Sequence, residues 1–165
     1  MGGISVLILI SFLSAIFYFF VAIFLIIIAY LLFIYIFESL ALMGIYKNDD
    51  NSKYWQVWIP FYNKYLLGEA AHSKKIGILL ALNNLLVIFL GIYFYHGQNF
   101  HAALFVVFLL LLLIGFILDC VLSHKIFKKA SDRYGDILTV LSVLSLGILR
   151  VIFLFLIRNR YSMDD

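Results

Sequence analysis

The chain is written as long apolar runs separated by short polar segments. Residues 1–37 contain no Asp, Glu, Lys or Arg, and residues 4–37 are almost wholly Ile, Leu, Phe, Ala, Val and Tyr. A run of more than about 18 apolar residues reads as a membrane span. Three further runs follow, at residues 76–95, 102–123 and 137–157. The pattern predicts an all-α, polytopic transmembrane helix bundle of four spans, with residues 1–165 forming one integral membrane domain.

Residues 4–46 are too many for one upright helix, because about 20 residues cross the hydrocarbon. Residues 4–37 hold no Pro, Asn, Asp or Gly to mark a hairpin, so one long, tilted span is favoured. A short interfacial helix breaking near residues 11–15, followed by a span, is the second option, and two spans the third. The N-terminus has no basic stretch ahead of its apolar run, and that run is too long for a secretory signal, so it is expected to be retained.

Between spans one and two, Lys47-Asn48-Asp49-Asp50-Asn51-Ser52-Lys53 is a loop signal. After it come both tryptophans and the only proline: Trp55, Trp58, Pro60, Asn63 and Tyr65 mark an interfacial motif. Indole and phenol rings favour the headgroup level, where the ring is buried and its polar atom is wet. Residues 55–59 are expected to be extended or turning, and residues 60–71 to form a short interfacial helix with Pro60 in its first turn. Asn63 is placed to satisfy backbone groups freed near Pro60. Asp136 is placed to N-cap span four.

Composition agrees with this picture. The chain is 65% hydrophobic, 18% aromatic and 13% charged, with mean hydropathy +1.10. Soluble domains carry about 25% charged residues, so lipid must cover most of this surface. The net charge of +3 sits in segments beside the spans. There it sets orientation and meets anionic headgroups; it does not signal nucleic acid. Basic residues concentrate in segments 47–75 and 124–136, and the turn at 96–101 has none. The positive-inside rule places both basic segments in the cytoplasm of a multi-pass cell-membrane protein. Four spans then put both termini outside, an assignment that Arg158 and Arg160 oppose mildly.

No H-E-x-x-H, G-x-S-x-G, phosphate loop or Cys/His cluster is present. No catalytic residue, metal site or cofactor is expected. Cys120 is alone, which excludes an internal disulfide, and His96 and His101 are too few for a closed metal site. The residues that lipid would punish are Glu38, Asn83, Asn84, Asp119 and Arg150. A charge at the bilayer centre costs about 2.5 kcal/mol or more, so such groups face the bundle and pair. Measured from the cytoplasmic ends of straight helices, Glu38 is roughly 13 Å deep, Asn83 roughly 12 Å, Asp119 roughly 8 Å and Arg150 roughly 21 Å. Glu38 with Arg150 is the expected pair. Asp119 with Arg150 requires span four to be displaced.

The stretch WQVWIPFYNKYLLGEAA, with Trp55, Ile59, Pro60, Asn63, Tyr65 and Gly68 at its fixed positions, resembles a motif of small polytopic membrane proteins common in Gram-positive bacteria. Tyr134-Gly135 and the ending Leu154-Phe155-Leu156-Ile157 before Arg158 are also similar, so the resemblance covers residues 40–159. It implies a bacterial, polytopic architecture and no particular activity. The long apolar N-terminus and Arg150 depart from the group. The expected function is a non-enzymatic accessory, scaffold or immunity-type protein acting by contact within the membrane. Its partners would be the bilayer and a membrane protein or a second copy of the chain. The alternative is a small oligomeric transporter or channel with a polar site between helices.

Overall fold

The computed structural model describes residues 2–48, 52–96 and 101–161, with side chains from residue 7 onward and, after residue 51, from residue 54. The described residues are helical, with no strand. In chain order they form α1 (Gly2–Asn48), a 3-10 helix (Ser52–Trp58), α2 (Tyr62–Ala70), α3 (Lys74–His96), α4 (Ala102–Ala130), α5 (Gly135–Leu144) and α6 (Ile148–Ile157). Three helices are long and apolar enough to cross a membrane: Leu7–Asn48, Lys74–His96 and Ala102–Ala130. The chain divides into two units, Met1–Ile36 and Phe37–Asp165.

The first unit is helical, and its side chains from Leu7 to Ala29 are all exposed. A helix apolar on every side belongs in lipid. Residues 7–36 come to about 45 Å at the α-helical rise, more than one hydrocarbon thickness.

In the second unit the core is formed by Ala41, Leu42, Ile45 and Tyr46 of α1, Leu66, Leu67 and Ala70 of α2, Leu80 of α3, Leu122, Ile126 and Phe127 of α4, and Leu154 of α6. The helices α2 and α3 meet backbone to backbone at two glycines. A Cβ on Gly68 would lie 2.3 Å from Gly77 Cα, so neither position has room for a side chain. At the base of α4 and α5, a Cβ on Gly135 would lie 2.8 Å from Lys128 Cα.

Of residues 55–59, expected to be extended or turning, residues 55–58 turn as part of a 3-10 helix over Ser52–Trp58, and α2 begins at Tyr62, not at Pro60. Pro60 fixes the turn ahead of the helix. The Tyr62 N–H donates to the Pro60 carbonyl at 2.8 Å, and Phe61 takes φ 67°, the rarer and strained kind of γ-turn.

The larger difference concerns residues 137–157. They form two ten-residue helices, α5 and α6, each about 15 Å long and half of a ~30 Å core. Asp136 lies in the first turn of α5 and does not cap it; Tyr134 holds the N-cap position. The break has an identifiable cause. The Gly147 N–H donates to Ser142 O at 2.9 Å and the Leu146 N–H to Val143 O at 3.1 Å. That pair of bonds is the Schellman helix stop, with the left-handed residue just beyond the cap. Leu146 holds it at φ 52°, and Gly147 follows at φ 91°. Ser145 Oγ then accepts the Leu149 N–H at 3.0 Å and starts α6. The same stop ends α2: Ser73 N–H donates to Gly68 O, His72 N–H to Glu69 O, and His72 takes φ 49°.

Contacts along α4 give the direction of the pair. Gly135 lies against Lys128, Thr139 against His124, and Gly147 against Phe116, so α5 runs antiparallel to α4. Arg150 then meets Asp119 and Ser123, Phe153 packs on Phe127, and Lys129 sits over the Tyr161 ring. Thus α6 runs back to the end where α5 began. Gly147 is the pivot, and a Cβ there forces a left-handed backbone on an L side chain. Gly147→Ala is expected to lower stability by about 1 kcal/mol, read as an earlier midpoint in a sodium dodecyl sulfate titration followed by circular dichroism.

Candidate functional site

Four charged side chains from four helices meet in the second unit. Glu38 on α1 is 1% exposed and Arg150 on α6 is 3% exposed; Asp119 on α4 and Lys64 on α2 lie at a slightly more open edge. The Arg150 Nη2 donates to Glu38 Oε2, and its Nη1 donates to Asp119 Oδ1 at 3.1 Å and to Ser123 Oγ at 3.4 Å. The Lys64 Nζ donates to Glu38 Oε1 at 2.6 Å and to both Asp119 oxygens, at 2.9 and 3.1 Å. Each acid therefore touches both bases. Two carboxylates and two cations close an alternating ring with no net charge.

This arrangement answers the cost of burying ions. A lone buried charge is penalised by several kcal/mol, and the penalty is recovered only with close partners and satisfied hydrogen bonds. The planar guanidinium supplies a fork with two acceptors, and the ammonium a compact charge with three donors. Among the described residues, no buried side-chain nitrogen or oxygen lacks a partner.

Of the sequence candidates, the structure brings together Glu38, Asp119 and Arg150. Asp119 reaches Arg150 because α6 folds back, which removes the depth mismatch of a straight span. Asn83 does not join them. Its Nδ2 donates to the Leu111 carbonyl at 3.0 Å, where Gly115 leaves it room. Asn84 also lies by Gly115 and is half-buried. Asn83 thereby links α3 to α4.

Lys64 and Ser123 were not among the candidates. One signal was available for Lys64. Glu38 and Asp119 outnumber Arg150 by one charge, which calls for one more cation.

The interfacial motif divides by exposure. Trp55 and Trp58 are exposed on the 3-10 helix, whose Val57 is buried and accepts Ser39 Oγ at 3.3 Å. Pro60 is exposed. Asn63 is buried, and its N–H donates to the Ile59 carbonyl at 3.1 Å. Tyr65 stacks obliquely on Tyr62 at 5.3 Å. Close by, the Tyr46 hydroxyl lies 3.0 Å from Leu66 O and 3.1 Å from Glu69 Oε2, and Glu69 pairs with Lys74 at 3.0 Å. The C-terminal end is tied to the same level: Asn48 Nδ2 donates to Arg158 O at 2.8 Å, and the Tyr161 hydroxyl donates to Ala70 O.

His124 joins α4 to α5. Thr139 gives its hydroxyl proton to Gly135 O at 2.8 Å, so its oxygen accepts from His124 Nδ1 at 2.8 Å, which fixes a proton on that nitrogen. Cys120 is buried. His96 and His101 are exposed, and the turn between them lies outside the described residues, as do residues 49–51 of the first loop.

The chain matches no family model, no curated protein and no solved structure.

Proposed function

We propose that this chain is a non-enzymatic accessory, scaffold or immunity-type protein of the bacterial cell membrane, working by contact with a second membrane protein. The observation that carries this reading is the closed, neutral ring of Glu38, Lys64, Asp119 and Arg150. Its charges are spent on one another and join four helices, which is the structural use of intramembrane charge. The exposed apolar helix before Glu38 and the Trp55–Trp58 ledge are two surfaces that such a contact could use. Purification in mild detergent tests this. A second membrane protein held at stoichiometric amount by the wild type, and lost from Trp55→Ala/Trp58→Ala, is expected. Retention by that variant excludes the ledge as the contact, and a homo-oligomer alone contradicts the reading.

The same contacts support a topology of three spans and one re-entrant helical hairpin, α5–α6, in place of four spans. The N-terminus remains outside, whereas the C-terminus joins the basic segments in the cytoplasm. Arg158 and Arg160 then obey the positive-inside rule that a fourth span would have made them break. In a Cys120→Ala background, Lys53→Cys and Arg160→Cys are both expected to resist an impermeant maleimide in intact cells and to react after permeabilisation. Labelling of Arg160→Cys in intact cells would restore the fourth span.

A further inference from the structure

Along the outer side of α4 and α5 runs an apolar groove of about 340 Å³, walled by Phe116, Ile117, Val121 and Val143 and ending at Lys125. From Phe116 to Lys125 the helix rises roughly 14 Å, close to the depth of one leaflet of a ~30 Å core. The groove therefore has the length and the lining for one acyl chain.

At its polar end the chemistry changes. Lys125 Nζ donates to Ser73 Oγ at 2.5 Å, and Ser73 belongs to a second cavity of about 480 Å³ whose rim includes Glu69, His72, Lys74 and Lys75. Lys64, Lys74 and Lys128 are each paired with carboxylates. Lys125 and Lys75 have no carboxylate partner among the described residues. Two cavities thus share one hydrogen bond: an apolar one of leaflet depth, and a second at the expected headgroup level where Glu69 is matched by Lys74 and the charge of Lys75 and Lys125 is left over.

We propose that this composite site binds an anionic phospholipid, with an acyl chain along α4–α5 and the phosphate on Lys125, Ser73 and Lys75. A zwitterionic lipid would bring its own cation to lysines that lack an anion. The proposal rests on the membrane placement above, which the maleimide experiment tests separately.

The test uses the full chain in mild detergent and native mass spectrometry. Phosphatidylglycerol and phosphatidylcholine of identical chains are added in turn. Phosphatidylglycerol adducts are expected to dominate. Lys125→Gln, at the headgroup, and Val143→Trp, which fills the groove, are each expected to weaken them about fivefold, the effect of losing roughly one interfacial contact. Lys128→Gln, whose partners are Asp132 and Asp136, is the control and is expected to bind normally. Helicity by circular dichroism confirms that each variant is folded. Equal binding of the two lipids, or full binding by both site variants, overturns the proposal. So does displacement of phosphatidylglycerol by equimolar inorganic phosphate, which would mean that the site takes a free anion.

Discussion

Replacing Glu38 with Ala is expected to destabilise the helical unit by about 3–5 kcal/mol, the range for breaking a buried ion pair on one side. The reason is geometric. Glu38 accepts from both Lys64 and the Arg150 Nη2, and it is 1% exposed. Its loss leaves a net positive charge among buried side chains, with Asp119 alone to balance two cations. Asp119→Ala should cost less, since Asp119 is 17% exposed and water can reach it. Glu38→Gln combined with Arg150→Met removes one charge of each sign and leaves Lys64 with Asp119. That double variant is expected to be more stable than Glu38→Ala, with coupling of about 0.5–3 kcal/mol between the two positions. Unfolding by sodium dodecyl sulfate in mixed micelles gives all of these values. A loss below about 1 kcal/mol for Glu38→Ala would mean that the ring contributes no more than a surface pair.

The second large effect belongs to a glycine. Gly68→Ala is expected to lower stability by about 3 kcal/mol, at the upper end of overpacking costs, because the added carbon meets the Gly77 backbone at 2.3 Å. A side-chain tip could rotate away; backbone cannot. Gly77→Ala meets Gly68 Cα at 2.7 Å and Tyr65 O at 2.9 Å, and should behave alike. Gly91, on the same helix as Gly77, has nothing within 4 Å of the added carbon. Gly91→Ala should therefore be stabilising by about 0.5–1 kcal/mol, the helix-propensity difference. The opposite signs at two glycines of one helix, read by the same titration, separate close packing from propensity. A neutral Gly68→Ala would contradict the α2–α3 contact.

What the sequence revealed follows from the kind of signal each feature carries. Helix α1 was legible because residues 4–37 lack every helix breaker and every charge, a pattern that lipid solvation alone explains. Glu38, Asp119 and Arg150 stood out because a charge inside an apolar run has few uses. The hairpin was hidden. In residues 137–157, Gly147 is a lone glycine within an apolar run, which a continuous helix tolerates. The left-handed residue at the stop itself, ahead of Gly147, is Leu146, for which no sequence preference exists. The composition of α5 and α6 is that of one span; only the hydrogen bonds at Ser142 and Val143 divide it. Lys64 falls within the basic segment 47–75, whose charges read as topology signals. Its partners come from α1 and α4, at separations of 26 and 55 residues, beyond any local pattern.

The folded-back α6 links these points. A straight helix would have carried Arg150 far from Asp119; the Schellman stop returns it to the level of Ser123. Topology and ion pairing are therefore one event, and a variant that straightens residues 145–147 should lose both.

The central claim is that the ring of four charges holds the helices together and is not a path for ions. Flux in proteoliposomes tests it most directly. Protein reconstituted at known density into vesicles loaded with a pH-sensitive dye is challenged with a proton gradient, then with sodium and potassium gradients. The account predicts no flux above protein-free vesicles, for the wild type and for Glu38→Gln alike. A protein-dependent flux that Glu38→Gln abolishes in folded protein would contradict it, and would make the ring a translocation site.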